Sequence, residues 1–274
     1  MGSDVTLMAL ITRLIGFSFT VAASCPLAAQ SLDMGARGLA LANAVVVASR
    51  FPFEPVNPAS AMKIHSLAAS FSFGQAHGLS ELRHESAVVV YPFGETLTGA
   101  TLQSFGFQAY RRLTAGLVLS TRIMQDVRLG IRTTYRRVAV AGYGSRAAVG
   151  VSAGWQADVT EAIRAGGAWR YIGAPTGSRN RLLSQELSFG FEARASPNLR
   201  LLAAIAREVS SDADLRIGAE IFLIDDVSLR LGTGTNPDRI TFGLGLTMRT
   251  ASIDAGVSVH RILGPSLCAT VSLE

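Results

Sequence analysis

Arginine recurs at alternate positions along several stretches of this chain, and that spacing decides what its charge can do. In VRLGIRTTYRR (127–137), Arg128, Arg132 and Arg136 share one side with Gly130, while Val127, Leu129, Ile131 and Tyr135 take the other. A helix would scatter these arginines around its circumference, whereas an extended strand gathers them on one face. The same polar register holds Arg164, Arg170, Arg194, Arg216 and Arg230, with Glu192, Glu220 and Asp254 as counter-charges and His260 in register with Asp254. A set of this kind offers two chemistries. It can tie strands and an inserted segment together by ion pairing, or it can present a field that attracts anions.

Catalysis has no comparable signature. His65, His77, His84 and His260 show no metal-ligand spacing and no partnering cysteine. There is no nucleophile elbow, and Gly142, Gly144 and Gly150 do not form a dinucleotide fingerprint. A triad spread over separate strands stays open as an alternative, but the expectation is a non-enzyme with no cofactor and no metal. The sequence pI of 9.8 could suggest nucleic acid. Arginines at alternate strand positions instead line an interior, so no nucleic-acid partner is expected.

The elements that must position these residues are strands. In LRIGAEIFL (215–223), Leu215, Ile217, Ala219, Ile221 and Leu223 oppose Arg216, Gly218, Glu220 and Phe222. In RITFGLGLTMR (239–249), Ile240, Phe242, Leu244, Leu246 and Met248 oppose Thr241, Gly243, Gly245 and Thr247. Period two of this kind marks strands. It predicts about fourteen, near 64–73, 85–92, 98–110, 115–123, 127–140, 146–158, 161–171, 183–195, 199–209, 214–224, 227–234, 239–249, 252–260 and 266–273. Gln125-Asp126, Ser196-Pro197-Asn198, Asp225-Asp226 and Asn236-Pro237-Asp238 supply turn chemistry between them. Most links are of hairpin length, so neighbours should pair antiparallel; the longest, 173–183, is a candidate extracellular loop.

A soluble barrel puts apolar side chains inside, and a small interior cannot hold many arginines. About fourteen strands enclose a lumen too wide for side chains alone to fill. A polar lumen within an apolar outer belt accommodates both facts, and strands near ten residues match a tilted membrane span. The expected fold is an all-β transmembrane antiparallel barrel in the bacterial outer membrane, with outer-membrane lipid as its first partner. A soluble exported β-protein is the alternative. Tyr91, Tyr110, Tyr135, Tyr171, Trp155 and Trp169 are candidate interface anchors.

The N-terminus reads as a secretory signal peptide, residues 1–29, with Arg13 ahead of the apolar run 14–29 and small residues at its end. Cleavage is expected after Ala29 or Gln30. Acidic Asp4 is out of place in such a leader, and Met8 would make a cleaner start. If Cys25 leaves with the signal, Cys268 is the sole cysteine of the mature chain and no disulfide within it can form. Residues 30–63 break the alternation with Gly35, Gly38, Pro52, Pro55 and Pro58 among small apolar residues. A segment this apolar suits the inside of a wide barrel, so it is expected to plug the lumen or lie at its periplasmic mouth; a flexible leader is the alternative. Residues 64–274 form the barrel.

Both ends of the mature chain carry a family resemblance. Residues 35–62, GARGLALANAVVVAS…NPASAM, resemble the N-terminal pattern of the PorV/PorQ outer-membrane family. Leu215-Arg216-Gly218-Glu220, Gly232-Asn236-Pro237, Gly243-Leu244-Gly245 and Asp254…His260…Leu263-Gly264 follow that family's C-terminal order. The resemblance implies a barrel similar to the FadL-type channel with an N-terminal luminal segment, whose motif positions here are Gly35, Arg37, Asn57 and Pro58. It also implies one of two roles. The first is a scaffold associated with protein secretion, with secretion-system or other cell-envelope proteins as partners. The second is a FadL-like passive channel for a small hydrophobic or amphipathic solute. Short loops, Pro265-Ser266 and the ending Ser272-Leu273-Glu274 depart from the family pattern.

Overall fold

The computed structural model describes residues 35–47, 56–60, 64, 66–174, 182–209 and 211–274. The expected signal peptide lies outside the described residues, as do parts of the 30–63 segment and most of the 173–183 loop.

Fourteen strands form one closed antiparallel barrel in which each strand pairs with its sequence neighbours and β1 closes on β14. They are β1 Ala68–Gln75, β2 Arg83–Phe93, β3 Thr96–Gly106, β4 Tyr110–Met124, β5 Val127–Val140, β6 Gly144–Asp158 and β7 Ile163–Ile172. Then follow β8 Glu186–Ser196, β9 Leu199–Glu208, β10 Asp214–Ile224, β11 Val227–Thr235, β12 Asp238–Thr247, β13 Ala251–His260 and β14 Gly264–Leu273. The chain enters β1 and leaves β14 at the same end, called here the near end. Closure leaves no strand at a free edge of the sheet, which is what lets a sheet stand in lipid.

The strand count matches the period-two reading, and most boundaries fall within a few residues of it. The exception is the β3–β4 turn, which comes at 107–109 and not after 110. Gly106 takes φ 103 there, and Phe107 and Tyr110 exchange backbone hydrogen bonds of 2.8 and 3.2 Å. Phe107-Gln108-Ala109 carries no turn former, so alternation alone runs through it.

The faces are inverted relative to a soluble barrel. Leu117, Ile131, Val149, Phe191, Ile217, Phe242, Leu244 and Val271 are exposed outward, while Ser72, Arg132, Ser188, Glu220, Arg230 and Thr241 are buried inward. Such an exterior is stable against hydrocarbon and not against water. Of the expected anchors, Tyr91, Tyr135, Trp155 and Trp169 do face outward. Tyr171 does not. A register shift between Val151 and Ala153 in the β6–β7 pairing accompanies a positive φ of 54 at Tyr171, whose side chain turns inward and is 7% exposed. Tyr110 stands in the inward register of β4 and meets Phe105 edge-on. Among the described residues, β6 pairs with β7 only from Val151 toward the near end, so 144–150 are laddered to β5 alone.

Candidate functional site

The lumen is the candidate site, and its first occupant is the chain's own N-terminal segment. Residues 36–40 form one short helix, α1 (Ala36–Ala40), every residue of which is buried. The turn that ends it places Ala42 and Asn43 at φ 52 and 62, and the Asn43 N–H donates back to Gly38 O at 2.8 Å. Helix ends leave carbonyls without partners, and here the wall supplies them. The Thr241 hydroxyl donates to Ala40 O at 2.8 Å, Arg239 Nη2 to Ala42 O at 2.9 Å and Arg216 Nη1 to Asn43 O at 3.4 Å.

Glycines make the seat. A Cβ on Gly256 of β13 would run into Ala36 O, and one on Gly243 of β12 into Ala40. On Gly218 of β10 it would stand 3.1 Å from Leu41 Cδ2, on Gly190 of β8 2.9 Å from Val46, and on Gly166 of β7 3.1 Å from Val47. Gly154 of β6 lies beneath Asn57, and Gly130 of β5 beneath Pro58. Read in order, the segment winds around the inner wall from β13 back to β5, against wall positions that have no side chain to hold it off. Asn57 fastens the far stretch. Its Nδ2 donates to Val46 O at 3.0 Å and to Trp155 O of β6 at 2.9 Å, while its Oδ1 accepts from Ala59 N at 2.9 Å. Gly35, the remaining motif position, lies against Thr270 and Ser72, whose hydroxyls are 2.8 Å apart.

Charge fixes the helical stretch. Arg37 and Glu220, 1% and 0% exposed, form a two-pronged pair of 3.2 and 3.1 Å. Glu220 also accepts from Arg230 Nε at 2.8 Å, and Arg230 Nη1 reaches Asp254 at 2.6 Å; Arg200 stands 3.8 Å from Glu220. Toward the far end, Asp214 takes Arg216 Nε at 2.7 Å and Arg239 Nη2 at 2.8 Å, and also accepts the backbone N–H groups of Thr235 and Asn236. Removing one member of a buried pair strands the other, at a cost of about 3–5 kcal/mol.

The structure distributes the remaining sequence-derived positions as follows. Arg164 pairs with Asp158 at 2.8 Å and Glu192 at 3.4 Å, and Arg170 with Glu186 at 3.4 Å. Arg132 donates to Thr101, and Arg136 to Thr114, Leu182 O and the Tyr171 hydroxyl. Arg128 is half-buried at the near end of β5. Two positions lie apart from this network. Arg194 is exposed at the end of β8. His260 ends β13, where its Nδ1 accepts the N–H groups of Ile262 and Leu263 and its ring meets His77 edge-on at 6.0 Å. Both follow the polar register, yet at a strand end that register leads to the rim.

Sequence reasoning passed over Asp158, Glu186, Arg200, Asp214 and Arg239. Asp214 shares the parity of Arg216 and Glu220, and Arg239 that of Thr241, so the signal was present at both. Arg200 was masked because Leu202, Ala204 and Ala206 make the inner face of β9 apolar. Among the described residues no group of His, Cys, Asp and Glu is arranged to hold a metal ion.

The other half of the lumen is chemically different. Ser70, Ser72, Ser86, Thr101, Gln103, Thr114 and Ser120 line β1–β4, and Val88, Val90, Leu97 and Val118 form an apolar cluster with Ile64 and Ala68 near the chain's entrance to the barrel.

No family model matches the chain, and no curated relative does. Solved structures do. The toluene transporter TodX of Pseudomonas putida aligns at TM-score 0.66 and 12% identity over 87% of this chain and 97% of its own. The monoaromatic hydrocarbon channel CymD aligns at 0.64 and 10% over 87% and 96%. A FadL homologue of Pseudomonas aeruginosa aligns at 0.57 and 14% over 88% and 97%. At such identities the likeness speaks for architecture, and the chain has the fold of the FadL-like outer-membrane channels.

Proposed function

We propose that this protein is an outer-membrane channel through which a small hydrophobic or amphipathic solute passes, with its N-terminal segment as the closure. The observation that carries the reading is the segment wound inside a closed fourteen-stranded barrel, held on one side by charge and facing a wall of mainly hydroxyl and apolar side chains on the other. The solved structures of like fold bear names of hydrocarbon channels and a toluene transporter, which supports a solute of that class. On this reading the barrel is exported by its leader, lies in the bacterial outer membrane with the near end toward the periplasm, and carries out no catalysis.

A second reading, a PorV/PorQ-type scaffold with secretion-system or envelope partners, is favoured by the ion pairs that fill the β10–β13 side. It is disfavoured by the short far-end links other than the one between β7 and β8, which leave limited surface for a large cargo.

The test is single-channel conductance of the refolded mature chain in a planar bilayer, with and without residues 31–62. Conductance that appears only on deletion, joined by hydrocarbon uptake into vesicles, supports the channel. A folded, inserted barrel that neither conducts nor passes hydrocarbon in either form sends the argument to the scaffold.

A further inference from the structure

The outward register of the strands is almost free of charge, and its few charges are confined to one end. Among the described strand residues they are Arg83 and Glu85 on β2, Arg111 on β4, Arg137 on β5, Arg207 on β9 and Asp238 on β12, all exposed and all at the far end. At the near end the outward register holds Tyr91, Phe93, Ile123, Leu129 and Trp155 instead. Exposed charge there comes from Arg122 and Arg194, in the inward register at the ends of β4 and β8, and from Glu95, Asp126, Glu161, Asp225, Asp226 and Arg249 in the turns. The outward register of the belt thus ends in charge, mainly arginine, on one side and in uncharged side chains on the other.

Arg111 and Arg137 bring two like charges together on this rim. Leu113 lies opposite Arg137 and Ala139 opposite Arg111, so the two arginines are diagonal neighbours on one face, roughly 7–8 Å apart at Cα. Arg137 Nη2 donates to the Ser145 hydroxyl on β6 at 3.2 Å. Around them on that face stand Leu102, Ser104, Leu113, Ala115, Tyr135, Ala147 and Val149, none of them acidic. Glu85 is three strands from Arg137 along the row Glu85–Ser104–Leu113–Arg137, about 14 Å at the usual strand spacing and beyond a Debye length in physiological salt. Tyr135 sits one outward step below Arg137, where an aromatic ring marks the edge of the hydrocarbon.

We infer that the outward face of β4–β6 at the far end, built on Arg111 and Arg137 with the Ser145 hydroxyl, binds the phosphorylated headgroup of a membrane lipid. Two guanidinium groups this close repel one another unless an anion lies between them, and guanidinium forks match phosphate geometry. Because the acyl chains of the same molecule would run down over Leu113, Tyr135 and Val149, a lipid satisfies both halves of the surface, whereas a free phosphate satisfies only one. The inference rests on the reading of the barrel as membrane-spanning, and the experiment separates the two.

The refolded mature chain is placed in phosphatidylcholine vesicles containing dansyl-labelled phosphatidylglycerol, and energy transfer from its tryptophans is titrated. Trp169 faces outward toward the far end of β7, within range of this surface. The parent should recruit the anionic lipid, and addition of salt should weaken recruitment. At about fivefold for each arginine near a membrane surface, Arg111→Gln with Arg137→Gln should lose roughly 25-fold. Arg111→Lys with Arg137→Lys should fall between that variant and the parent, because it keeps the charge and loses the fork, and Arg249→Gln at the opposite rim should behave as the parent. Inorganic phosphate at millimolar concentration should not displace the lipid; displacement would identify a free-anion site and overturn the lipid assignment. Equal recruitment by the parent and the double glutamine variant would also overturn it. Failure of the parent to insert into phosphatidylcholine alone would defeat the membrane reading itself, which is a different result.

Discussion

The two halves of the lumen solve opposite problems. From β10 to β13 the inner wall holds Asp214, Arg216, Glu220, Arg230, Arg239 and Asp254, and every one of them bears on α1 or the turn that ends it, directly or through one or two neighbours. From β1 to β4 it offers mainly hydroxyls and the valine and leucine cluster at the near end, with His84 buried among them and Arg132 and Arg136 of β5 reaching Thr101 and Thr114. The first wall is selective because buried charges must be matched in place. The second is made mainly of neutral side chains, so a neutral solute moving along it disturbs fewer ions. Closure and passage can therefore be assigned to different sides of one cylinder.

The sharpest way to break this contrast is Glu220→Ala. It leaves Arg37 and Arg230 without their shared carboxylate, for an expected loss of about 3–5 kcal/mol. The N-terminal segment should leave the wall, become open to protease from the near end, and uncover conductance in a planar bilayer. If the segment stays protected and the barrel silent, the glycine seat alone holds it and charge is incidental.

Gly256→Val tests the seat without touching a charge. A side chain there runs into Ala36 O and crowds Ala40 N at 3.3 Å, an overpacking worth about 1–3 kcal/mol. The same substitution at Gly99, on the opposite side, meets Val90, Val118 and the Val89 carbonyl, an overpacking in which none of the nearest contacts belongs to the plug. Protease exposure of the segment should follow the first variant and not the second. Equal exposure from both would mean that general destabilisation, not displacement, is being read.

How much of this was legible in the chain depends on where along a strand one looks. Mid-strand, parity is enough. Arg132, Glu220, Arg230 and Asp254 face inward because each shares a register with glycine, serine or threonine while leucine and isoleucine take the alternate positions. Parity fails at strand ends, where Arg194 and His260 keep the polar register but emerge at the rim, and at the β6–β7 irregularity, where Tyr171 turns inward. It also cannot say which strand faces which stretch of the plug. The Arg37–Glu220 contact spans 183 residues, and only closure of the cylinder brings the two together. Glycine was visible in the register, but its use as a seat for the segment was not, because an absent side chain carries no mark of what occupies its space.

Thr241→Val removes the hydroxyl that donates to Ala40 O, a single hydrogen bond to the plug worth about 1 kcal/mol. That should slightly raise protease cutting of the segment at unchanged barrel stability in urea. A shift in barrel unfolding as large as that of Glu220→Ala would show that plug and wall unfold as one unit, and the division of labour between the two halves would fail.

The smallest effect is expected from Ser86→Ala on β2, and for that reason it is the most informative about passage. Ser86 is buried on the β1–β4 wall, across the ladder from Ser72 and two strands from Thr270, which accepts the Ala36 N–H. Its loss should leave stability within about 0.5 kcal/mol and the segment as protected as in the parent. If hydrocarbon moves along β1–β4, replacing a hydroxyl by hydrogen makes the path less polar, and uptake into vesicles should rise by a factor of about two to three. That range corresponds to the low end of the cost of burying a hydroxyl without a partner. Thr241→Val makes a comparable change of polarity on the charged side, so the two variants form a matched pair. Flux that responds to Ser86 and plug protection that responds to Thr241 would place passage and closure on opposite walls, while flux that responds only to Thr241 would put the path beneath α1 and return both tasks to the same side.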